Sequence, residues 1–191
     1  YYHVYNRANG NEKLFLNDEN YAFFLRQYKT YISPFSKTTA YCLMPNHFHF
    51  LIQINDEESL KSTFPKFGTL EKYEQSNLIS KRFSNLFSSY TQAFNKQQSR
   101  KGSLFMKNFK KKHIEDLSYF VRLVQYIHLN PVEAKITDDL QDWKYSSYPA
   151  IIGSKNTQVE RAHVLEWFDG IDNFKYIHRQ GAKLKFEDLE F

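Results

Sequence analysis

Two short segments of the 191-residue chain combine residue types and spacing that chemistry can use. The first is His47-Phe48-His49. In an extended chain alternate side chains share a face, so both imidazoles point one way and Phe48 points the other. Two neutral imidazoles this close form a bidentate grip for a metal ion and leave positions open for a substrate oxygen. The plainer alternative is two surface histidines on the polar side of a half-buried strand. The second segment is Tyr126-Ile127-His128-Leu129-Asn130-Pro131. Tyr126 and Asn130 are four apart, one helical turn along a single face. The Asn130 carbonyl is a hard oxygen donor suited to Mg²⁺ or Mn²⁺, and the Tyr126 phenol can act as a covalent nucleophile. If the two faces meet, His47, His49 and Asn130 surround a cation with Tyr126 beside it, a constellation suited to phosphoryl transfer on a DNA strand. The alternative here is a packing tyrosine and an asparagine that caps a helix before proline. His128 points elsewhere on the helix and reads as a packing or surface residue.

These residues need elements to position them. Tyr2 to Asn6 is β-prone, and Asn9-Gly10 follows as a turn signal. Asn17 or Asp18 can cap a helix running to about Ile32, with Tyr21, Phe24, Leu25 and Tyr28 at helical spacing and Pro34 beyond it. Thr38–Met44 and His47–Ile54 read as two strands joined through Pro45-Asn46, the second with Phe48, Phe50, Ile52 and Ile54 on one face. Asp56–Glu74, with Pro65 and Gly68, reads as a loop with a helical piece. Leu78–Asn95 is helical by periodicity, and Leu104–Ile114 supplies a fourth strand. Asp116–Asn130 forms a helix with the apolar stripe Leu117, Phe120, Val121, Val124 and Ile127, which Pro131 is expected to end. The order β-α-β-β-α-β-α predicts an α+β fold: a ferredoxin-like antiparallel sheet with two helices on one face and the tyrosine helix on the other. Residues 1–136 form the expected catalytic domain. Residues 137–191, with Trp143, Tyr145, Tyr148, Trp167 and Phe168, form a C-terminal extension packed on it.

Composition narrows the partners. Aromatic residues make up 18% of the chain, and 41% of residues are hydrophobic, enough for a core. Mean hydropathy is −0.64, and no long uncharged apolar run suggests a membrane span. The single cysteine, Cys42, excludes an intramolecular disulfide framework and a Cys-cluster zinc site. No secretory or transit segment is evident, so the expected compartment is the cytoplasm. The net charge is +5, and it is unevenly spread. Residues 96–136 hold nine basic against three acidic residues, while 137–191 are net acidic. Arg100, Lys101, Lys107, Lys110, Lys111, Lys112 and Arg122, interleaved with Phe105, Phe109 and Tyr119, are candidate phosphate and base contacts. A solvated basic face with no partner is the alternative for that stretch alone.

Four separated segments also resemble one family: Tyr2-His3-Val4-Tyr5-Asn6-Arg7, Ala40-Tyr41-Cys42-Leu43-Met44-Pro45-Asn46-His47-Phe48-His49, Tyr126-Ile127-His128-Leu129-Asn130-Pro131-Val132 and Trp143-Lys144-Tyr145-Ser146-Ser147-Tyr148. In this order they resemble the single-tyrosine HUH transposases, and within them the REP-associated tyrosine transposases. The resemblance implies His47, His49 and Asn130 as ligands of Mg²⁺ or Mn²⁺ and Tyr126 as the nucleophile. It further implies cleavage of single-stranded DNA near an imperfect hairpin through a 5′-phosphotyrosine, followed by strand rejoining without ATP. Glu133 departs from the basic residue found there in many relatives. A catalytically idle hairpin-binding protein is the competing expectation, and a non-catalytic RNA-binding module is disfavoured because the histidine pair occupies the sheet face it would use. The sequence leaves monomer or homodimer open.

Overall fold

The computed structural model describes residues 1–63 and 72–181. In chain order the elements are β1 (Tyr2–Arg7), α1 (Asp18–Tyr31), β2 (Ser36–Leu43), β3 (His47–Ile54), α2 (Glu57–Thr63), α3 (Lys72–Gln97), β4 (Lys110–His113), α4 (Leu117–Glu133), α5 (Tyr148–Ile152), α6 (Arg161–Trp167) and α7 (Ile171–Gly181). Pro65, Gly68 and residues 182–191 of the extension lie outside the described residues, as does the side chain of Leu117.

The four strands pair antiparallel in the order β2-β3-β1-β4. This is the ferredoxin-like arrangement, with β3 and β1 in the middle. Alternation along the strands decides the two faces. Val4, Phe48, Phe50 and Ile52 project to one side, where Phe24 and Tyr28 of α1 and Phe83, Phe87 and Tyr90 of α3 complete an apolar cluster. The Tyr28 and Phe50 rings stack at 4.2 Å, and each fully buried phenylalanine contributes about 1.5–3 kcal/mol by leaving water. Ala40, Cys42 and Leu51 project to the other side, against Phe120, Leu123, Val124 and Ile127 of α4. The tyrosine helix therefore covers the face opposite α1 and α3.

Cap chemistry sets the helix limits. Asn17 begins α1, its side chain accepting from the Asn20 amide. Asp116 begins α4, accepting from the Ser118 and Tyr119 amides. Pro131 does not end α4 as expected; the helix continues to Glu133. Pro131 falls within the last turn, so its missing N–H removes only one helical hydrogen bond. The stop comes from Lys135, left-handed at φ 55°, with Lys135 N–H donating to the Val132 carbonyl and Ile136 N–H to that of Pro131. The fourth strand is likewise shorter than expected. Its first part makes only a bridge between Ala8 and Phe105, and left-handed Asn108 (φ 59°) interrupts the extended chain before Lys110.

Residues of the extension share the α4 core rather than building their own. Tyr148, Ile151, Val164, Phe168 and Phe174 join the cluster on the α4 side of the sheet. Gly181 touches α4 so closely that a Cβ there would lie 1.8 Å from Gln125 Nε2. Trp143 Nε1–H donates to the Leu43 carbonyl and fixes the start of the extension at the end of β2.

Candidate metal and tyrosine site

Strand β3 aims His47 and His49 at the α4 side while Phe48 enters the opposite core. On α4, Tyr126 and Asn130 face the same strand. His47 Nε2 lies 3.1 Å from Asn130 Oδ1, and the Tyr126 ring meets the His49 ring edge-on at 5.4 Å. The Asn130 amide cannot turn freely, because its Nδ2 donates to the Tyr126 carbonyl at 2.9 Å and so presents Oδ1 to His47. All four residues read from the sequence thus come together. Tyr126, His49 and Asn130 are buried and His47 is half-buried. His47, His49 and Tyr126 line a cleft of about 530 Å³ with Tyr5, Arg7, Lys107 and Lys110.

Burial lowers the pKa of His47, the Asn130 contact opposes this by raising it, and nearby Arg7 lowers it further. Burial first, then His3 and His47, hold that of His49 well below the ordinary imidazole value. Both rings are therefore neutral at pH 7, the form that ligates metals. Among the described residues no group of three His, Cys, Asp or Glu side chains is arranged to hold a metal ion. The donor set is instead two imidazoles and an amide oxygen. The spacing of His47 Nε2 and Asn130 Oδ1 suits a small divalent cation, since two ligands bonded at about 2.1 Å and at right angles stand about 3 Å apart. His47 Nδ1 lies 2.8 Å from Asn46 Oδ1, so a proton held there leaves Nε2 and Oδ1 facing each other as two lone pairs.

The basic residues divide. Lys110 and Lys112 lie in alternate positions of the edge strand β4, opposite Tyr5 and His3, and share their side of the sheet. Lys107 and Lys110 line the cleft. Lys112 Nζ donates to the Tyr119 hydroxyl at 2.8 Å and lies 4.4 Å from that ring's centroid. Lys111 faces the other way, pairs with the position of core Val4, and is held by the Ser76 carbonyl and Ser80 Oγ of α3. Arg100 forms a clamp with Glu12, Asn95 and the Gly102 and Ser103 carbonyls. Lys101 and Arg122 are exposed and do not line the cleft. Residue reading missed Tyr5, Arg7 and Asn46 as cleft residues and His3 as a neighbour of His49. The signal was present in β1, where His3 and Tyr5 alternate in phase, but the pairing of β1 with β3 was needed to use it.

His128, expected at the surface or in packing, is fully buried and polar-bonded. It lies 2.9 Å from His178 Nε2 and 2.7 Å from Ser147 Oγ, and His178 Nδ1–H donates to the Phe174 carbonyl. That carbonyl can only accept, so the proton placement follows: His178 Nε2 accepts from His128 Nδ1–H, and His128 Nε2 accepts from the Ser147 hydroxyl. This relay ties α7 to the back of the helix that carries Tyr126 and Asn130.

A histidine pair on a central strand of a ferredoxin-like sheet, opposed by a tyrosine and an asparagine one turn apart, is the arrangement that the resemblance to single-tyrosine HUH proteins implies. Comparison with known proteins points the same way. A curated relative from Haemophilus influenzae named as a REP-associated tyrosine transposase is 26% identical over 117 residues, 59% of this chain. The chain spans 58% of that relative's length. A solved structure of a REP-associated tyrosine transposase bound to a REP hairpin shares the fold, with a TM-score of 0.60 at 14% identity over 79% of this chain and 78% of that one. No family model matches the chain. The likeness to REP-associated tyrosine transposases read from the motifs is thus found again in sequence and in fold.

Proposed function

We propose that the protein is a metal-dependent single-stranded DNA endonuclease and strand transferase acting at hairpin-forming repeats. The observation that carries this reading is the meeting of His47, His49 and Asn130 beside Tyr126 at one basic cleft. A Mg²⁺ or Mn²⁺ ion held by His47 Nε2, His49 Nε2 and Asn130 Oδ1 would supply positive charge to the scissile phosphate. Arg7, Lys107 and Lys110, which line the same cleft as Tyr126, hold the strand by its phosphates. The Tyr126 oxygen attacks phosphorus as its proton departs. The bond to the 3′-oxygen breaks, and that oxygen leaves as a 3′-hydroxyl after taking up a proton. The products are a 5′-phosphotyrosine and a free 3′-OH, and attack by a 3′-OH on the phosphotyrosine restores a phosphodiester. One ester replaces another at each step, so no nucleotide cofactor is consumed.

The test is a hairpin oligonucleotide with single-stranded flanks, incubated with the full chain and Mn²⁺ or Mg²⁺ and run on a denaturing gel. We expect a covalent protein–DNA band that Tyr126→Phe abolishes while hairpin binding persists. Absence of a band with either metal, with binding intact, would instead identify a catalytically idle hairpin-binding protein.

A further inference from the structure

A third histidine stands behind the pair. His3 is fully buried on β1, and its Nε2 lies 3.0 Å from His49 Nδ1. The His3 and His49 rings meet edge to edge with their centroids 5.2 Å apart, as a hydrogen bond in the ring planes requires, and the Tyr5 ring packs on His3 at 4.7 Å. The pairing of β1 with β3 sets this contact in the backbone, with His3 opposite Leu51 and Tyr5 opposite His49.

The contact has a consequence for protons. Each neutral imidazole carries one N–H, and the 3.0 Å contact holds one proton between the two rings. If His3 Nε2 carries that proton, His49 Nδ1 accepts it, and the other nitrogen of His49 must carry an N–H of its own. That nitrogen then cannot ligate a cation. If His49 Nδ1 carries the proton, His3 Nε2 accepts, His3 keeps its own proton on Nδ1, and His49 Nε2 has a bare lone pair. Only the second arrangement makes His49 a ligand. His47 shows the same design: its Nδ1 faces an acceptor, Asn46 Oδ1, and its Nε2 faces Asn130 Oδ1. Both histidines therefore have Nδ1 engaged behind and Nε2 left for the cation.

We propose that His3 is a positioning residue that holds His49 in the Nδ1-protonated tautomer and so makes it a divalent-metal ligand. This rests on the metal reading of the site and adds to it the residue on which the second histidine ligand depends. His3 touches neither substrate nor cation. It acts through His49, and its ring must accept a hydrogen bond, which a buried apolar side chain of similar volume cannot do.

The experiment has two readouts on the full chain. Nitrogen-detected histidine NMR of the metal-free protein reports which ring nitrogen of His49 is protonated. Titration with Mn²⁺, followed by calorimetry and electron paramagnetic resonance, reports affinity. We expect His49 in the wild-type chain to be protonated at Nδ1, and His3→Phe to lose that preference and bind Mn²⁺ about 10- to 100-fold more weakly. His3→Gln, which offers a side-chain carbonyl at the depth of Nε2, is expected to stay within a few-fold of wild type. Wild-type affinity in His3→Phe overturns the inference, and so does an Nε2-protonated His49 in the wild-type chain, a result that needs no variant to fold. Wild-type binding of Mn²⁺ no tighter than in a His47→Ala/His49→Ala chain overturns it together with the metal reading. Mn²⁺ binding that depends on His3, without any covalent DNA adduct, supports the inference while the strand-transfer reading fails.

Discussion

Lys110 and Lys111 are neighbours in sequence, identical in chemistry and opposite in role. Strand alternation sends Lys110 to the cleft and Lys111 to α3, where the Ser76 carbonyl and Ser80 Oγ bind it and partial burial lowers its pKa. Lys110→Ala is therefore expected to weaken binding of a hairpin oligonucleotide and to reduce the slope of log affinity against log salt by about one. Lys111→Ala is expected to leave that slope unchanged and to lower the urea midpoint instead. Titrations at three salt concentrations together with one denaturation curve separate the two, and an equal loss of salt slope in both variants would refute the assignment. The same logic sorts Arg100, whose guanidinium is spent on Glu12 and loop carbonyls.

At the scale of elements, the tyrosine helix is held from two sides. Its inner face carries Tyr126 and Asn130 toward β3, while Gln125 and His128 bind α7 through the Ile177 carbonyl and His178. Phe174 lies at the centre of the second contact, fully buried against Tyr148, Phe168 and the two histidines. Phe174→Ala is expected to cost about 3–5 kcal/mol of stability, the range for emptying a buried phenylalanine site. Guanidinium denaturation checks this; a loss below about 1 kcal/mol would mean that α7 contributes little to the fold. Because α7 backs α4, the same variant is expected to bind Mn²⁺ more weakly although Phe174 is remote from the cleft. An unchanged Mn²⁺ affinity in the folded variant would show that α7 does not position the proposed ligands.

Across the whole molecule, buried neutral histidines make stability depend on pH. Burial pushes His178 down to about 4 and His3 down to about 3, and it lowers His49 and His128 well below the usual value. Above about pH 6.5 these rings are neutral in both folded and unfolded chains and carry no pH-dependent penalty. Below it the unfolded chain takes up protons that the folded one refuses, so stability falls with acidification, for His178 down to about pH 4. Each such ring contributes about 1.4 kcal/mol per pH unit within its window. Urea unfolding at pH 7, 6 and 5 is expected to show a steep decline, which His178→Gln reduces by about one proton's worth. An unchanged slope in that variant would exclude His178 as a source.

The chain by itself determined the order of the main elements up to the tyrosine helix, the two faces of β3 and the candidate ligands, because these follow from local periodicity; the three helices of the extension were not read from it. Alternation in His47–Ile54 and the four-residue step from Tyr126 to Asn130 are properties of one strand and one helix. Helix ends were less legible. Pro131 signalled a stop that the backbone of Lys135 and Ile136 supplied instead, since a proline in the last turn costs one hydrogen bond rather than the helix. What only the tertiary structure decided are relations between segments far apart in sequence: His3 beside His49, Lys111 turned to α3, and His128 bonded to His178. These depend on strand register and helix docking, which sum many weak long-range contacts, so no single segment carries a signal for them.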